Sequence, residues 1–233
     1  MPTQADTLVA VLGASKAILF DFDGPICDVF QGLPAPGIAE ELADLLSELA
    51  PSLAEAAHAT DDPMEVHRLA QQGGTTVLKA VEASLTAAEI RAVKVAGSPT
   101  VGAVQALKAT RDSGRRVAIV SNNSADCIRE YFTLHGITGV DEIVGRPQLR
   151  PDLMKPSPQP LLAAASSLGM APGLTVLVGD SVTDVEAAHA AGTRCVGYAN
   201  KEAKQATLAD AGAVVVLNMQ EISNTLTSHW MSR

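Results

Sequence analysis

Aromatic side chains are scarce in this 233-residue chain, which has one Trp, two Tyr and four Phe. Its three cysteines, Cys27, Cys127 and Cys195, are far apart and form no C-x-x-C pair. An odd number of scattered thiols argues against a disulfide framework and predicts reduced, buried side chains. Cations are also few: 17 Lys and Arg stand against 26 Asp and Glu, for a formal net charge of −9, with no Lys/Arg stripe. That excludes a nucleic-acid footprint and requires a local cation or a metal to draw in any anionic ligand. The longest uncharged stretch, 156–179, is interrupted by Pro156, Pro158, Pro160, Gly169, Pro172 and Gly173 and does not read as a membrane span. No basic segment precedes the apolar patch near the start, so a secretory leader is not expected and the expected location is the cytoplasm. G-x-G-x-x-G, G-x-x-x-x-G-K, G-x-S-x-G and H-E-x-x-H are all missing, and no two of the five histidines lie at i,i+4. Dinucleotide-binding, P-loop, serine-hydrolase and zinc-hydrolase readings therefore lack their signatures.

What is present is a chain with 47 % hydrophobic residues, enough to bury a sizeable core. Short runs rich in Val, Ile and Leu recur at 16–22, 116–122, 141–146, 174–180, 193–199 and 213–217. They alternate little, as strands covered on both faces do. Helical patterns ending in Gly114, Gly136, Gly169 and Gly192 lie between them, which predicts βαβ units around a parallel sheet. From Pro34 to Gly97 only helical periodicity appears, with Asp62 and Pro63 placed to cap and open one helix. The expected organisation is an α/β core from 1–32 and 98–233 with a helical segment at 33–97. An insert after the end of strand one lies where open α/β sheets bind ligands, so it reads as a lid.

The first strand runs directly into Asp21 and Asp23, with Asp28 close behind. Residues i and i+2 of a strand share a face, so the two carboxylates repel unless one is protonated or a cation lies between them. Three more polar clusters follow strands or open helices: Ser121-Asn122-Asn123-Ser124, Lys155 in "LMKPSP", and "GDSVTD" with Asp180 and Asp184. Each alone has a plain structural reading, as a helix cap, a solvated charge or a loop. Their order along the chain, at equivalent points of successive βαβ units, makes them a set.

On these residues the chain resembles the phosphatases of the haloacid dehalogenase superfamily, in the phosphoglycolate-phosphatase-like branch with a helical cap after the first strand. The resemblance covers nearly the whole chain. It implies a Rossmann-like, doubly wound parallel sheet in the order 5-4-1-2-3, with strands two and four beside strand one. It also implies a Mg²⁺-dependent phosphatase of a small phosphorylated metabolite, working through an aspartyl-phosphate. Asp21 matches the nucleophile and Asp23 the general acid/base. The Asp21 carboxylate, the Asp23 backbone carbonyl and the Asp180 carboxylate match the metal ligands, and Asp184 matches the acid that supports the metal through water. Ser121 and Asn122 match the phosphate-binding motif, and Lys155 the lysine of the third motif. Such a site is physically consistent: Mg²⁺ takes oxygen ligands, relieves the repulsion between Asp21 and Asp180, and neutralises charge during phosphoryl transfer.

Pro25 stands where the family more often has Thr or Val. Asp23 argues against the dehalogenase branch, which lacks that acid. The phosphonatase branch uses a cap lysine, for which the insert offers Lys79 and Lys94, both on helical patterns. Sugar phosphomutases of the β-phosphoglucomutase type share all four motifs and stay open, as does a non-catalytic binding or regulatory protein on the same fold. Substrate selection is expected from the polar cap stretch "HATDDPMEVHR", with Asp61, His67 and Arg68 as candidates. Neither a nucleic-acid nor a membrane partner is expected, and the oligomeric state is open.

Overall fold

The computed structural model describes residues 4–230. In chain order its elements are α1 (Gln4–Gly13), β1 (Ala17–Phe20), α2 (Ala35–Leu49), α3 (Ala54–His58), α4 (Pro63–Ala70), α5 (Thr75–Val93), α6 (Ala103–Asp112), β2 (Arg116–Val120), α7 (Ala125–His135) and β3 (Glu142–Val144). They continue with α8 (Gln159–Ser167), β4 (Thr175–Gly179), α9 (Val182–Ala191), β5 (Arg194–Tyr198), α10 (Ala203–Asp210), β6 (Val214–Val216) and α11 (Gln220–Trp230). All six strands coincide with the apolar runs read from the sequence. They pair in parallel in the order β3-β2-β1-β4-β5-β6. This is the order implied by the resemblance with a sixth strand added at one edge.

Alternation along β1 divides the core. Ile18 and Phe20 point into a large apolar cluster, and Leu19 points into a second one with Ala118, Val120, Leu177, Leu161 and Val185. The larger cluster continues without a break into the helical segment through Ile38, Leu42, Leu46, Val81 and Leu85. Cys27, Cys127 and Cys195 are buried free thiols. Gly136 and Gly192, read as helix stops, close α7 and α9 in the left-handed conformation, which glycine adopts without a Cβ penalty. Among the described residues no helix is long and apolar enough to cross a membrane.

Local patterning left some elements out. In the helical segment α5 runs unbroken from Thr75 to Val93, because no Gly or Pro occurs within it. The apolar patch near the start is α1, whose Leu8 and Leu12 are buried in the core. The outer strand β3 is only half-buried, unlike the fully buried β1 and β4.

Candidate active site

In the parallel register Phe20 lies beside Ile119 of β2 on one side and Val178 of β4 on the other. The loops that follow all three strands therefore open at the same edge of the sheet, where α/β sheets place their ligands. The Asp21 N–H donates to the Val178 carbonyl (2.8 Å), extending the ladder by one residue before the chain turns away. Phe22 points back into the core, edge-on to Tyr131 with ring centroids 5.5 Å apart. This anchor leaves Asp21 and Asp23 facing one cavity of about 340 Å³. Gly24 has φ +92°, and a Cβ there would lie 2.5 Å from the Asp180 carboxylate carbon. The turn thus brings its backbone against the acid of β4 in a way only glycine permits.

Asp21, Asp23, Ser121, Asn122, Lys155 and Asp180 all line this cavity, together with Asn123, Ser181 and Thr183. Lys155 is its central cation. Its ammonium contacts Asp184 Oδ1 (2.5 Å), Asp21 Oδ1 (2.9 Å) and the Val120 carbonyl (3.2 Å), and the side chain is almost fully buried. Burial alone would push its pKa down, but the carboxylates of Asp184 and Asp21 outweigh that and hold it above the usual lysine range. Asn122 clamps the backbone of the same residue: Oδ1 accepts from Lys155 N (2.9 Å) and Nδ2 donates to Lys155 O (3.1 Å). Its side-chain amide is therefore committed to Lys155. Ser121 is buried, and its hydroxyl donates to Asn123 Oδ1 (3.2 Å).

The four acids differ in environment. Asp184 is saturated, because Oδ2 accepts from the backbone N–H groups of Asp180 and Ser181 and from the Ser181 hydroxyl while Oδ1 takes Lys155. Burial opposes its charge, but Lys155 and these donors hold its pKa below the ordinary value. Ser181 and Asp184 also form the capping box of α9. In Asp21, Oδ1 accepts from Phe22 N (2.7 Å) and Lys155. Burial raises this carboxyl to about 8 despite Lys155, with Asp184 and Asp180 adding repulsion. In Asp23, Oδ1 accepts from Val29 N (3.0 Å). Burial lifts it to about 6 against that hydrogen bond, with Asp180 and Asp28 pushing the same way. Asp180 is also raised by burial, although Lys204 Nζ lies 2.5 Å from its Oδ2.

Carboxylate oxygens of Asp21, Asp180 and Asp184 lie within 4.8 Å of one another. Burial pushes Asp21 and Asp180 upward, and this all-oxygen donor set suits a hard divalent cation. Since Asp184 is saturated, Asp21 and Asp180 are the carboxylates with oxygens free to hold it.

The three cap candidates separate. Asp61, in the loop before α4, reaches the cavity together with Asp62, Pro63 and Met64. His67 does not. Pro63, Val66, His67 and Ala70 form the buried stripe of α4, so His67 turns inward and lies 3.2 Å from Glu82 Oε2. Burial and then Arg146 push its imidazole below the usual range. Arg68 donates to the Lys155 carbonyl (3.3 Å) and pairs with Glu65, and it lies outside the cavity. Asp62 caps α4 as its sequence position implied, accepting from Met64 N (2.8 Å).

Lys204, in α10, had no signal in the sequence beyond a charged stretch. Arg146 and Glu89 were missed for the same reason, since each gains meaning only from a partner 57 residues away.

The family described as "haloacid dehalogenase-like hydrolase" matches residues 15–192. The chain belongs to the haloacid dehalogenase-like hydrolases. It is 38 % identical over 99 residues to the phosphoglycolate phosphatase of Nitrosococcus oceani, a match covering 42 % of this chain and 44 % of the relative. The chain spans about half the length of the curated relatives it matches most strongly. A hydrolase from Pseudomonas syringae shares the fold at TM-score 0.64 and 19 % identity, over 91 % of this chain and 98 % of that one. A haloacid dehalogenase family hydrolase from Deinococcus radiodurans, solved with phosphate and sodium bound, aligns at TM-score 0.58 and 26 % identity, over 92 % and 96 % of the two chains. In this family member the segments that follow β1, β2 and β4, together with Lys155 ahead of α8, supply all the charged groups at the floor of the cavity.

Proposed function

We propose that this protein is a Mg²⁺-dependent phosphomonoesterase that transfers the phosphoryl group of a small metabolite to Asp21 and then to water. The observation that carries the reading is the pair of opening acids. Asp21 is held at one oxygen by Phe22 N–H and Lys155, and Asp23 is raised to about 6 beside it in the same cavity. Relatives named phosphoglycolate phosphatases and a family member that binds phosphate support the same class of substrate.

Phe22 N–H and Lys155 hold the Asp21 carboxylate in place, so that it attacks phosphorus in line with the leaving oxygen. Asp23, whose carboxyl burial lifts to about 6, gives its proton to that oxygen as the P–O bond breaks. Its carboxylate then takes a proton from the water that attacks the aspartyl-phosphate, releasing inorganic phosphate and restoring both acids. Lys155 and the Ser121 hydroxyl face the transferring group, and a preorganised cation there stabilises the charge that develops. Asp21 and Asp180, with the Asp23 carbonyl, would hold the metal, and Asp184 would fix Lys155 and the Asp180 turn. When bound, the ion orients the phosphate and offsets its charge. Residues 33–97 act as a cap on a core formed by 1–32 and 98–233, closing over the cavity through the loop at 61–64.

The test is product analysis with an aryl phosphate and with sugar phosphates, with and without chelator. Accumulation of inorganic phosphate only with Mg²⁺ supports the reading. Interconversion of sugar phosphates without net phosphate release would replace it with a mutase.

A further inference from the structure

The cap side of the cavity has a charge that bears on what leaves with the alcohol. Five of its lining residues are acids, namely Asp21, Asp23, Asp61, Asp62 and Asp180, and Lys155 is the single cation among them. Asp21, Asp23, Asp180 and Lys155 lie on the floor, where phosphate and metal compensate one another. Asp61 and Asp62 line the same cavity from the loop into α4, where both are exposed, together with Phe30, Pro63 and Met64.

Cations that could neutralise these two acids are engaged elsewhere. Arg68 pairs with Glu65 and donates to the Lys155 carbonyl. Arg146 is buried against Glu89. Lys204 is drawn to Asp180. Asp62 already accepts from Met64 N–H, whereas no described residue donates to Asp61, which is exposed. A leaving group bearing a carboxylate would end against Asp61 and Asp62 with no donor of opposite charge. An ammonium group there would meet a free carboxylate over an apolar wall.

Resting on the phosphatase reading, we infer that the preferred substrate is a small phosphomonoester whose leaving group carries an amine directed at Asp61, and that esters of hydroxy acids are poor substrates. Phosphoglycolate, the substrate named for the relatives, belongs to the disfavoured class.

A two-carbon series isolates the charge: 2-aminoethyl phosphate, 2-hydroxyethyl phosphate and phosphoglycolate differ little except at the end remote from phosphorus. At low ionic strength kcat/KM should fall in that order, with the amine ahead of the carboxylate by about tenfold or more, the size expected of one charge pair at partial exposure. Asp61→Asn should shrink this ratio, and Asp61→Lys should invert it. Salt should narrow it in the native protein and not in Asp61→Asn. The inference is overturned if phosphoglycolate is the fastest of the three, if Asp61→Asn and Asp61→Lys leave the order unchanged, or if an aryl phosphate is hydrolysed while the series shows no order. In each of those cases phosphatase activity itself stands. If neither the series nor the aryl phosphate yields Mg²⁺-dependent phosphate, the phosphatase reading and the inference fall together.

Discussion

Arg146, on the loop after β3, places Nη1 2.7 Å from Glu89 Oε1 in α5, and both side chains are buried. The pair does more than neutralise itself. Glu89 also accepts from Asn123 Nδ2 (3.2 Å) and Ser124 N (3.0 Å), and Arg146 donates to Thr86 Oγ1 (2.9 Å) and the Asn122 carbonyl (3.2 Å). The longest helix of the inserted segment is thereby joined to the loop that carries Ser121 and Asn122.

Removing one member leaves the other charged and buried, which costs about 3–5 kcal/mol, whereas removing both costs less. Arg146→Met should therefore lower the midpoint of urea unfolding more than the Glu89→Met/Arg146→Met double variant does. A double variant less stable than Arg146→Met would show that the pair acts mainly through its other hydrogen bonds.

Lys155→Met should lower kcat/KM by about two to four orders of magnitude, through loss of one preorganised charge from the proposed phosphoryl-transfer site. It should also destabilise the fold, because among the described residues Asp184 has no other cationic partner. Asn122→Ala should reduce kcat/KM through Lys155, and a variant whose rate matched the native enzyme would break the link between that clamp and catalysis.

Asp21→Asn should abolish turnover, since an amide cannot replace the attacking carboxylate. Asp23→Asn should be nearly as damaging with alkyl phosphates and less so in the first step with an activated aryl phosphate, whose leaving group needs no proton. With that substrate Asp23→Asn should accumulate an added phosphoryl mass on Asp21 after a rapid acid quench. Mass spectrometry placing the label on Ser121 would refute the assignment.

Metal removal should expose the raised acids. Folded-state values of about 8 for Asp21 and about 6 for Asp23 lie above the ordinary 3.8, so the folded protein binds more protons than the unfolded chain between these limits. Their contribution to stability is full at low pH and is lost as pH rises through 6 and then 8. His67, pushed below its ordinary value, contributes in the opposite sense near 6.5, present above it and lost as pH falls. The difference in Tm between native protein and Asp21→Asn isolates Asp21. In chelator, native protein should lose stability relative to Asp21→Asn from pH 5.5 to 8.5. Mg²⁺ should raise the native Tm most at the alkaline end, and a Mg²⁺ effect independent of pH would count against Asp21 as its ligand.

Wherever a local pattern sufficed, the structure was legible beforehand. The six strands announce themselves as short β-branched runs, and Gly136 and Gly192 end helices because a left-handed residue favours glycine. Asp62 caps α4 because its side chain needs only the N–H two residues on. The resemblance also placed Asp21, Ser121 and Asp180 on neighbouring strands, and the sheet order agrees. Long-range pairing was not legible. Asn122 read as a phosphate contact, but folding commits its amide to Lys155, 33 residues away. His67 read as part of a polar stretch, but the helical phase of α4 turns it inward. Lys204, Arg146 and Glu89 belong to no motif in the sequence. Periodicity acts between residues close along the chain, and the sequence carries it directly. Which buried charge meets which depends on segments brought together only when the apolar clusters on the two faces of the sheet pack, and that the tertiary structure alone decides.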